Sequence, residues 1–238
     1  MCAAAAFTLT WANIASAITV GMIDTFSDGT NLGWSGSFVT NVADAGPAGP
    51  GDNAALVTAG GGSRIVVYSQ AIPAPDDGED DPRWTGNFTA AGVTAISLDV
   101  RHTNATPLAL RIAIGANGFV QSSGVNGQGD TYVTNYVLNV PGDGQWHTLT
   151  FPVEAANFVP SFANTEPAPN AAAALTDVTH FRFIHNPDAA DFKGAQATLP
   201  FLMDNVRALG IPEPSGAALL AVGCAALIAR RRAISVQR

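Results

Sequence analysis

Lysine is nearly missing from this chain. Lys193 is the only one in 238 residues, and the other ten basic residues are arginines. Charge is scarce altogether: 13% of residues are Asp, Glu, Lys or Arg, about half the share of an ordinary soluble domain. What charge there is leans negative, with 19 acidic residues against 11 basic and a net charge of −8. Neutralising a phosphate backbone needs a basic face, so a nucleic-acid partner is excluded. Cysteine is as sparse: Cys2 and Cys224 both lie near the chain ends, so no disulfide staples the region between them and no Cys/His nucleophile can form there. GxSxG is absent, and His102, His147, His180 and His185 make no HxH or HxxH pair, which removes the nucleophile elbow and the usual zinc spacing. Glu154 and Glu166 are the only Glu between 80 and 210, and nothing marks two carboxylates as the pair that glycoside hydrolysis needs. The chain reads as non-enzymatic, with a polysaccharide hydrolase as the least favoured alternative.

The two ends read as addresses. Residues 2–17, CAAAAFTLTWANIASA, are an apolar stretch ending in Ala15-Ser16-Ala17, a small-x-small cleavage pattern. This predicts a signal peptide over residues 1–17, helical in its apolar part, with the cut before Ile18. No Lys or Arg precedes Arg64, although signal peptides open on a positive segment; the expectation is a true start upstream of Met1. At the other end, Ile211-Pro212-Glu213-Pro214-Ser215 precedes fourteen uncharged residues, 216–229, then Arg230-Arg231-Arg232 and the tail 233–238. A helix of that length spans about 21 Å, short of the ~30 Å hydrocarbon core, and the arginines fix its cytoplasmic end. The three parts over residues 211–232 resemble the PEP-CTERM sorting signal of Gram-negative bacteria. The resemblance implies an exosortase-type processing partner, transient anchoring in the inner membrane, and delivery to the cell envelope, cell surface or extracellular matrix.

Between these addresses lies one domain, residues 18–210. With Glu213 and Arg230, Arg231, Arg232 and Arg238 set aside, it holds 18 acidic and 7 basic residues, a net of −11. No helical periodicity appears in it. Alternating or short apolar runs are expected as strands at 19–26, 36–40, 54–59, 63–69, 93–102, 107–114, 131–140, 146–153, 178–185 and 199–208, with Gly-rich turns at 60–62 and 124–129. In 178–185, Phe181, Phe183 and His185 share one face, and His180, Arg182 and Ile184 the other. About ten short strands without helices predict an all-β, jelly-roll-type antiparallel β-sandwich. The segments MIDTFSDGTNLGWSGS, WTGNFTAAGVTAISLDVRH, GQWHTLTFPV and FLMDNVRALG resemble parts of jelly-roll domains of the carbohydrate-binding-module and laminin-B-like kind. That resemblance implies first and last strands lying side by side, and a polysaccharide as a candidate partner.

Candidate ligands of two kinds follow. Asp24 and Asp204 stand in the first and last expected strands, where the related modules often hold a structural Ca²⁺; two carboxylates would need loop carbonyls to complete six to eight oxygens. The run Asp76-Asp77-Gly78-Glu79-Asp80-Asp81 lacks the alternate spacing of a calcium loop and reads as a hydrated loop. Sugars stack on exposed aromatic faces, which makes Trp84, Phe119, Tyr132 and Tyr136 the candidates, whereas Trp34 and Trp146 are expected in the core. Two functions stay open: an architectural protein of the surface or biofilm matrix, and a carbohydrate-binding module acting through those aromatics. For the tail, mass spectrometry of protein recovered from the cell surface is expected to find a C-terminus upstream of Gly216, and an intact 216–238 would make the tail a permanent anchor instead.

Overall fold

The computed structural model describes residues 17–59, 64–70, 82–116, 129–162, 170–188 and 191–210. Residues 1–16 of the signal segment, the acidic run 76–81 and the tail 211–238, with both end helices expected from the sequence, lie outside the described residues. The strands are β1 (Ile23–Asp24), β2 (Ser35–Gly36), β3 (Phe38–Val42), β4 (Ala54–Thr58), β5 (Val66–Gln70), β6 (Val93–Arg101), β7 (Leu108–Ala116), β8 (Asp130–Thr134), β9 (Leu138–Val140), β10 (His147–Pro152), β11 (Phe158–Phe162), β12 (Val178–His185) and β13 (Phe201–Gly210). They form two antiparallel sheets. Sheet A runs β10-β6-β13-β4-β3, with β1 beside β13; sheet B runs β11-β8-β7-β12-β5-β2, with β9 beside β7. This is a jelly-roll-type β-sandwich. Its first and last strands are neighbours, with Ile23 and Asp24 opposite Arg207 and Val206.

The period-two pattern decides what each strand buries. On β12, Phe181 and Phe183 enter the core between the sheets, while His180, Arg182 and Ile184 lie on the outward face of sheet B. The centre of the core is aromatic. Trp34 stacks on Phe183 at 5.7 Å and sits 5.8 Å from Trp84. Phe181 and Phe183 meet edge-to-face at 5.2 Å, and Phe151 packs on Phe183 at 6.1 Å. Each such ring contributes roughly 1.5–3 kcal/mol by leaving water.

Several local outcomes differ from the sequence reading; the expected strand 36–40, for one, is split into β2 and β3 at Gly36, whose φ is +109°. The run 19–26 yields only the two-residue β1, because a turn closes at Met22 N–H to Thr19 O and Phe26 adopts φ +55°. The run 131–140 divides into β8 and β9, because Thr134 Oγ1 bonds Tyr136 O and the Asn135 N–H turns to Asn157 O. β11, with Pro160 inside it, was not expected as a strand; it is an edge of sheet B with a register shift after Pro160, and an edge tolerates the missing N–H. A single helical turn, α1 (Ala171–Ala174), stands where no helix was expected. Asn170 caps it, its side chain accepting the Ala173 N–H at 2.9 Å, which is what an N-cap Asn does. Trp146 also departs from expectation: it is half-buried just before β10 and not in the core cluster.

Among the described residues no helix is long and apolar enough to cross a membrane. Gly36 is required where β2 meets β5. It has φ +109°, and a Cβ there would collide with the Val66 carbonyl oxygen. Phe183→Ala is expected to cost about 3–5 kcal/mol in urea denaturation, because a fully buried ring at the centre of the core leaves a cavity. Phe38→Ser, at a side chain 70% exposed, is expected to stay within about 0.5 kcal/mol of the parent.

Candidate functional site

The two metal candidates do not converge. Asp24 points into the core, on the same side as its partner Val206. Its Oδ2 accepts the indole N–H of Trp34 at 2.9 Å and of Trp84 at 2.7 Å, and its Oδ1 is ion-paired with Arg83 Nη2 at 2.6 Å. All of this happens at a carboxylate with no solvent exposure. So engaged, the Asp24 carboxylate holds two indoles and a guanidinium to one point inside the core. The same contacts correct the expectation for Trp84, which is 1% exposed: a 3-10 turn, Pro82–Trp84, drives its ring into the core, and no face is presented to a sugar.

Asp204 lies one residue beyond the core residue Met203 and faces the other way, beside Asp99 in register. Its Oδ2 accepts Asn205 Nδ2 at 3.2 Å, and the same amide bonds Asp99 Oδ2 at 2.9 Å. Asn205 has φ +49°, at the register shift in β13. Asp204 Oδ1 is buried with no hydrogen-bond partner. Burial raises its pKa to about 7, with a further push from the charges of Asp52 and Asp99; the Asn205 N–H and Arg207 oppose the shift. The orphaned oxygen fits a cation, yet among the described residues no group of three or more His, Cys, Asp or Glu is arranged to hold one.

The remaining aromatic candidates are not gathered either. Tyr132, 2% exposed, belongs to the core cluster. Tyr136 is half-buried at the core rim, stacked on Phe151 at 6.4 Å, with its hydroxyl donating to Pro152 O. Phe119 lies outside the described residues. The histidines are tied into the frame: His102 Nε2 meets Val140 O at 2.9 Å, His185 Nδ1 accepts the Ala109 N–H at 3.1 Å, and His147 pairs with Asp143 at 2.9 Å.

The distinctive surface is one the sequence reading did not single out, the outward face of sheet B. An antiparallel sheet in a two-layer sandwich ordinarily alternates buried and solvated residues, and β10 of sheet A does so. In sheet B, all nine residues of β7 and all five of β8 are buried, as is every residue of β12 except Thr179. Chain beyond β12 folds back over that face. Phe192 packs there with Ala113, Val133 and Ile184, held by its N–H to Ser161 Oγ at 3.0 Å and by Ala195 N–H to His185 O at 2.7 Å. A signal existed in the sequence: PLALRIAI over 107–114 is nearly continuous in apolar residues, the mark of a strand covered on both sides.

Two guanidiniums lie under this cover. Arg111 donates from Nε to Asn186 O and from Nη1 to Thr134 O and Tyr136 O, tying two loops to the sheet. Arg182, 2% exposed, donates from Nε to His180 Nε2 at 2.7 Å and from Nη1 to Phe192 O at 3.2 Å. Its carbon Cζ sits 3.8 Å from the Phe192 ring centroid and 5.6 Å from that of Tyr68. Nη2 is buried and has no hydrogen-bond partner among the described residues. Burial lowers the Arg182 pKa to about 9, so the group stays charged at neutral pH, while burial and the Arg182 charge push His180 well down. His180 is therefore neutral, with Nε2 free of a proton to accept from Arg182. An unpaired buried donor on a charged group costs on the order of 1–3 kcal/mol, an expense the fold carries at the middle of a covered sheet face.

No protein-family model matches the chain, and a search of curated proteins finds no relative. Among solved structures it is similar to a family 11 carbohydrate-binding module from Clostridium thermocellum in complex with a β-1,3-1,4-mixed-linked tetrasaccharide, at 18% identity and TM-score 0.46, over 82% of this chain and 99% of that one. It is similar also to a CBM22-2 xylan-binding domain from Paenibacillus barcinonensis, at 11% identity and TM-score 0.45, over 80% and 99%. An exo-β-agarase aligns at 8% identity and TM-score 0.49, over 82% of this chain and 25% of the enzyme.

Asp24→Ala strands two indole N–H groups and the Arg83 charge, so a loss on the order of 3 kcal/mol is expected in urea melts, with Asp24→Asn losing less because its amide oxygen still accepts. Asp204 predicts a pH effect of defined sign. Its folded pKa of about 7 exceeds the ordinary 3.8, so the native state binds the extra proton and stability falls as pH rises from about 4 through 7. Asp204→Asn is expected to be more stable than the parent at pH 8, with the advantage shrinking towards pH 5. An equal difference at both pH values would remove Asp204 as the cause.

Proposed function

We propose that this chain is an exported, non-enzymatic protein whose sandwich domain binds extracellular polysaccharide on the outward face of sheet B. The observation that carries the reading is the double burial of β7, β8 and β12. Beneath the returning chain this sheet face carries Tyr68, His180 and Arg182, which combine flat rings with planar hydrogen-bond donors, the mixture that small-molecule and sugar sites use. An architectural role in the envelope or biofilm matrix would follow from that binding. The sequence of the ends supports the address: a signal segment at 1–17, and the motif Ile211–Ser215 with Arg230–Arg232 for an exosortase-type partner and passing anchorage in the inner membrane.

The calcium expectation narrows to Asp204. Its unpartnered buried oxygen favours a cation, which would hold the carboxylate ionised and offset the charges of Asp52 and Asp99; Asp24 takes no part. Binding is tested by affinity electrophoresis of the full-length chain in gels containing soluble polysaccharides. Tyr68→Ala is expected to weaken retention roughly fivefold, the equivalent of an aromatic contact of about 1 kcal/mol. Failure of every polysaccharide to retard the parent chain overturns the reading, and release of reducing sugar would overturn its non-enzymatic part.

A further inference from the structure

The domain is acidic, yet its cations are not spread evenly. Of the seven basic residues between 18 and 210, four stand on or around the outward face of sheet B: Arg64, Arg111, Arg182 and Lys193. Arg64 Nη1 donates to Gly194 O, and Lys193 is exposed in the turn that carries Phe192. Among the described residues none of the four makes an ion pair; the two ion pairs described are Arg83 with Asp24 and His147 with Asp143. The nearby carboxylates are committed elsewhere or lie to the side. Asp191 Oδ1 accepts the Lys193 backbone N–H, and Asp188 acts on His185. The outward face of sheet A collects the opposite sign, with Asp99 and Asp204 side by side and Asp52 close by.

We propose that the covered face of sheet B binds a glycan bearing oxyanion substituents, whose anionic group takes the Nη1–Nη2 edge of Arg182 in place of Phe192. The proposal rests on the polysaccharide-binding reading and names the class of sugar. In the closed arrangement Phe192 stands where a ligand would: its ring lies on the guanidinium plane and its carbonyl takes Nη1, leaving Nη2 unpaired. The turn 191–194 is closed within itself by Gly194 N–H to Asp191 O at 3.1 Å and by the Lys193 contact to Asp191. It is tied to its surroundings by Phe192 N–H to Ser161 Oγ, Arg182 Nη1 to Phe192 O, Arg64 Nη1 to Gly194 O and Asn186 Nδ2 to Asp191 O, bonds that opening must exchange for those to a ligand. When it lifts, both terminal nitrogens of Arg182 open together, and a planar fork of N–H donors matches a carboxylate or sulfate bidentately. A neutral diol can accept from both nitrogens but brings no charge to offset the buried guanidinium, so its bonds are the weaker ones. Nε remains on neutral His180, which fixes the plane of the fork. Lys193, on the same turn, adds a second charge at the entrance.

The test is affinity electrophoresis of the full-length chain against four polymers: polygalacturonate, its fully methyl-esterified form, dextran sulfate and a neutral mixed-linked glucan. Retention by polygalacturonate that the methyl ester abolishes supports a uronate carboxylate as ligand; retention by dextran sulfate alone supports a sulfate ester at the same fork. Arg182→Gln, checked for folding by circular dichroism, is expected to weaken acidic-polymer binding at least about tenfold. Phe192→Ala, which removes the occupant without touching the fork, is expected to leave that binding intact or tighten it. Retention by the neutral glucan and the methyl ester with none by the acidic polymers overturns the anion proposal and keeps the polysaccharide reading. Retention by none of the four overturns both. Undiminished acidic binding by folded Arg182→Gln, or a loss in Phe192→Ala, also overturns the assignment to Arg182.

Discussion

The sandwich depends on one buried carboxylate. Asp24 is at the end of a two-residue strand, yet it gathers the indole N–H of Trp34, the indole N–H of Trp84 and the guanidinium of Arg83. Large polar aromatics go inside only where their N–H finds an acceptor, so the two largest side chains of the core are admitted by this residue. Through it, the segment before β2, the turn before β6 and the strand beside β13 are held to a single point. The stack that follows, Trp34 on Phe183 and Trp84 against Phe181, then spans the gap between sheets. A domain without a disulfide has here a non-covalent clasp for its opening strand.

The two outward faces have gone separate ways. Sheet A keeps exposed threonines on β10 and sets Asp99 on β6 beside the buried Asp204 on β13. Sheet B has been folded over, and its outward residues form a second small cluster around Ala113, Val133, Ile184 and Phe192. Arg111 serves that cover by binding three carbonyls at once, whereas Arg182 retains an unfilled donor in the same layer. One arginine satisfied and one not, on adjacent strands of the same sheet, separates the part of this face that holds the fold from the part with capacity left.

The fold class was legible in the sequence because strand periodicity is local. Phe181 and Phe183 against His180 and Arg182 could be assigned to opposite faces from spacing alone, and both assignments hold in β12. The neighbouring of β1 and β13 followed from the resemblance. What was not legible depended on contacts between distant segments. Trp84 sits beside a run of acids and looked solvent-facing; only its bond to a residue sixty positions earlier explains its burial. Asp24 and Asp204 occupy adjacent strands, but the register shift near Asn205 and the pleat send them to opposite faces. Tyr68 on β5 cannot be told from a core aromatic until the chain covering it is placed, and Phe192 lies in a turn whose docking no local pattern sets. Pro160 hid an edge strand, since a proline argues against pairing without revealing that one side of the strand has nothing to pair with.

The exposed lysine in the turn over Arg182 has a practical side. Lys193 is the only side-chain primary amine in the chain, and it belongs to the loop that covers the fork. Reagents that acylate amines will therefore modify one side chain, uniformly, and at the covered face. A sensor surface or bead coupled through that amine will tether the molecule by its lid, with sheet B turned to the support. Material for such supports should instead be attached through an introduced thiol on the sheet A side, where Phe38 already stands clear of the fold and no native cysteine of the domain competes for the reagent.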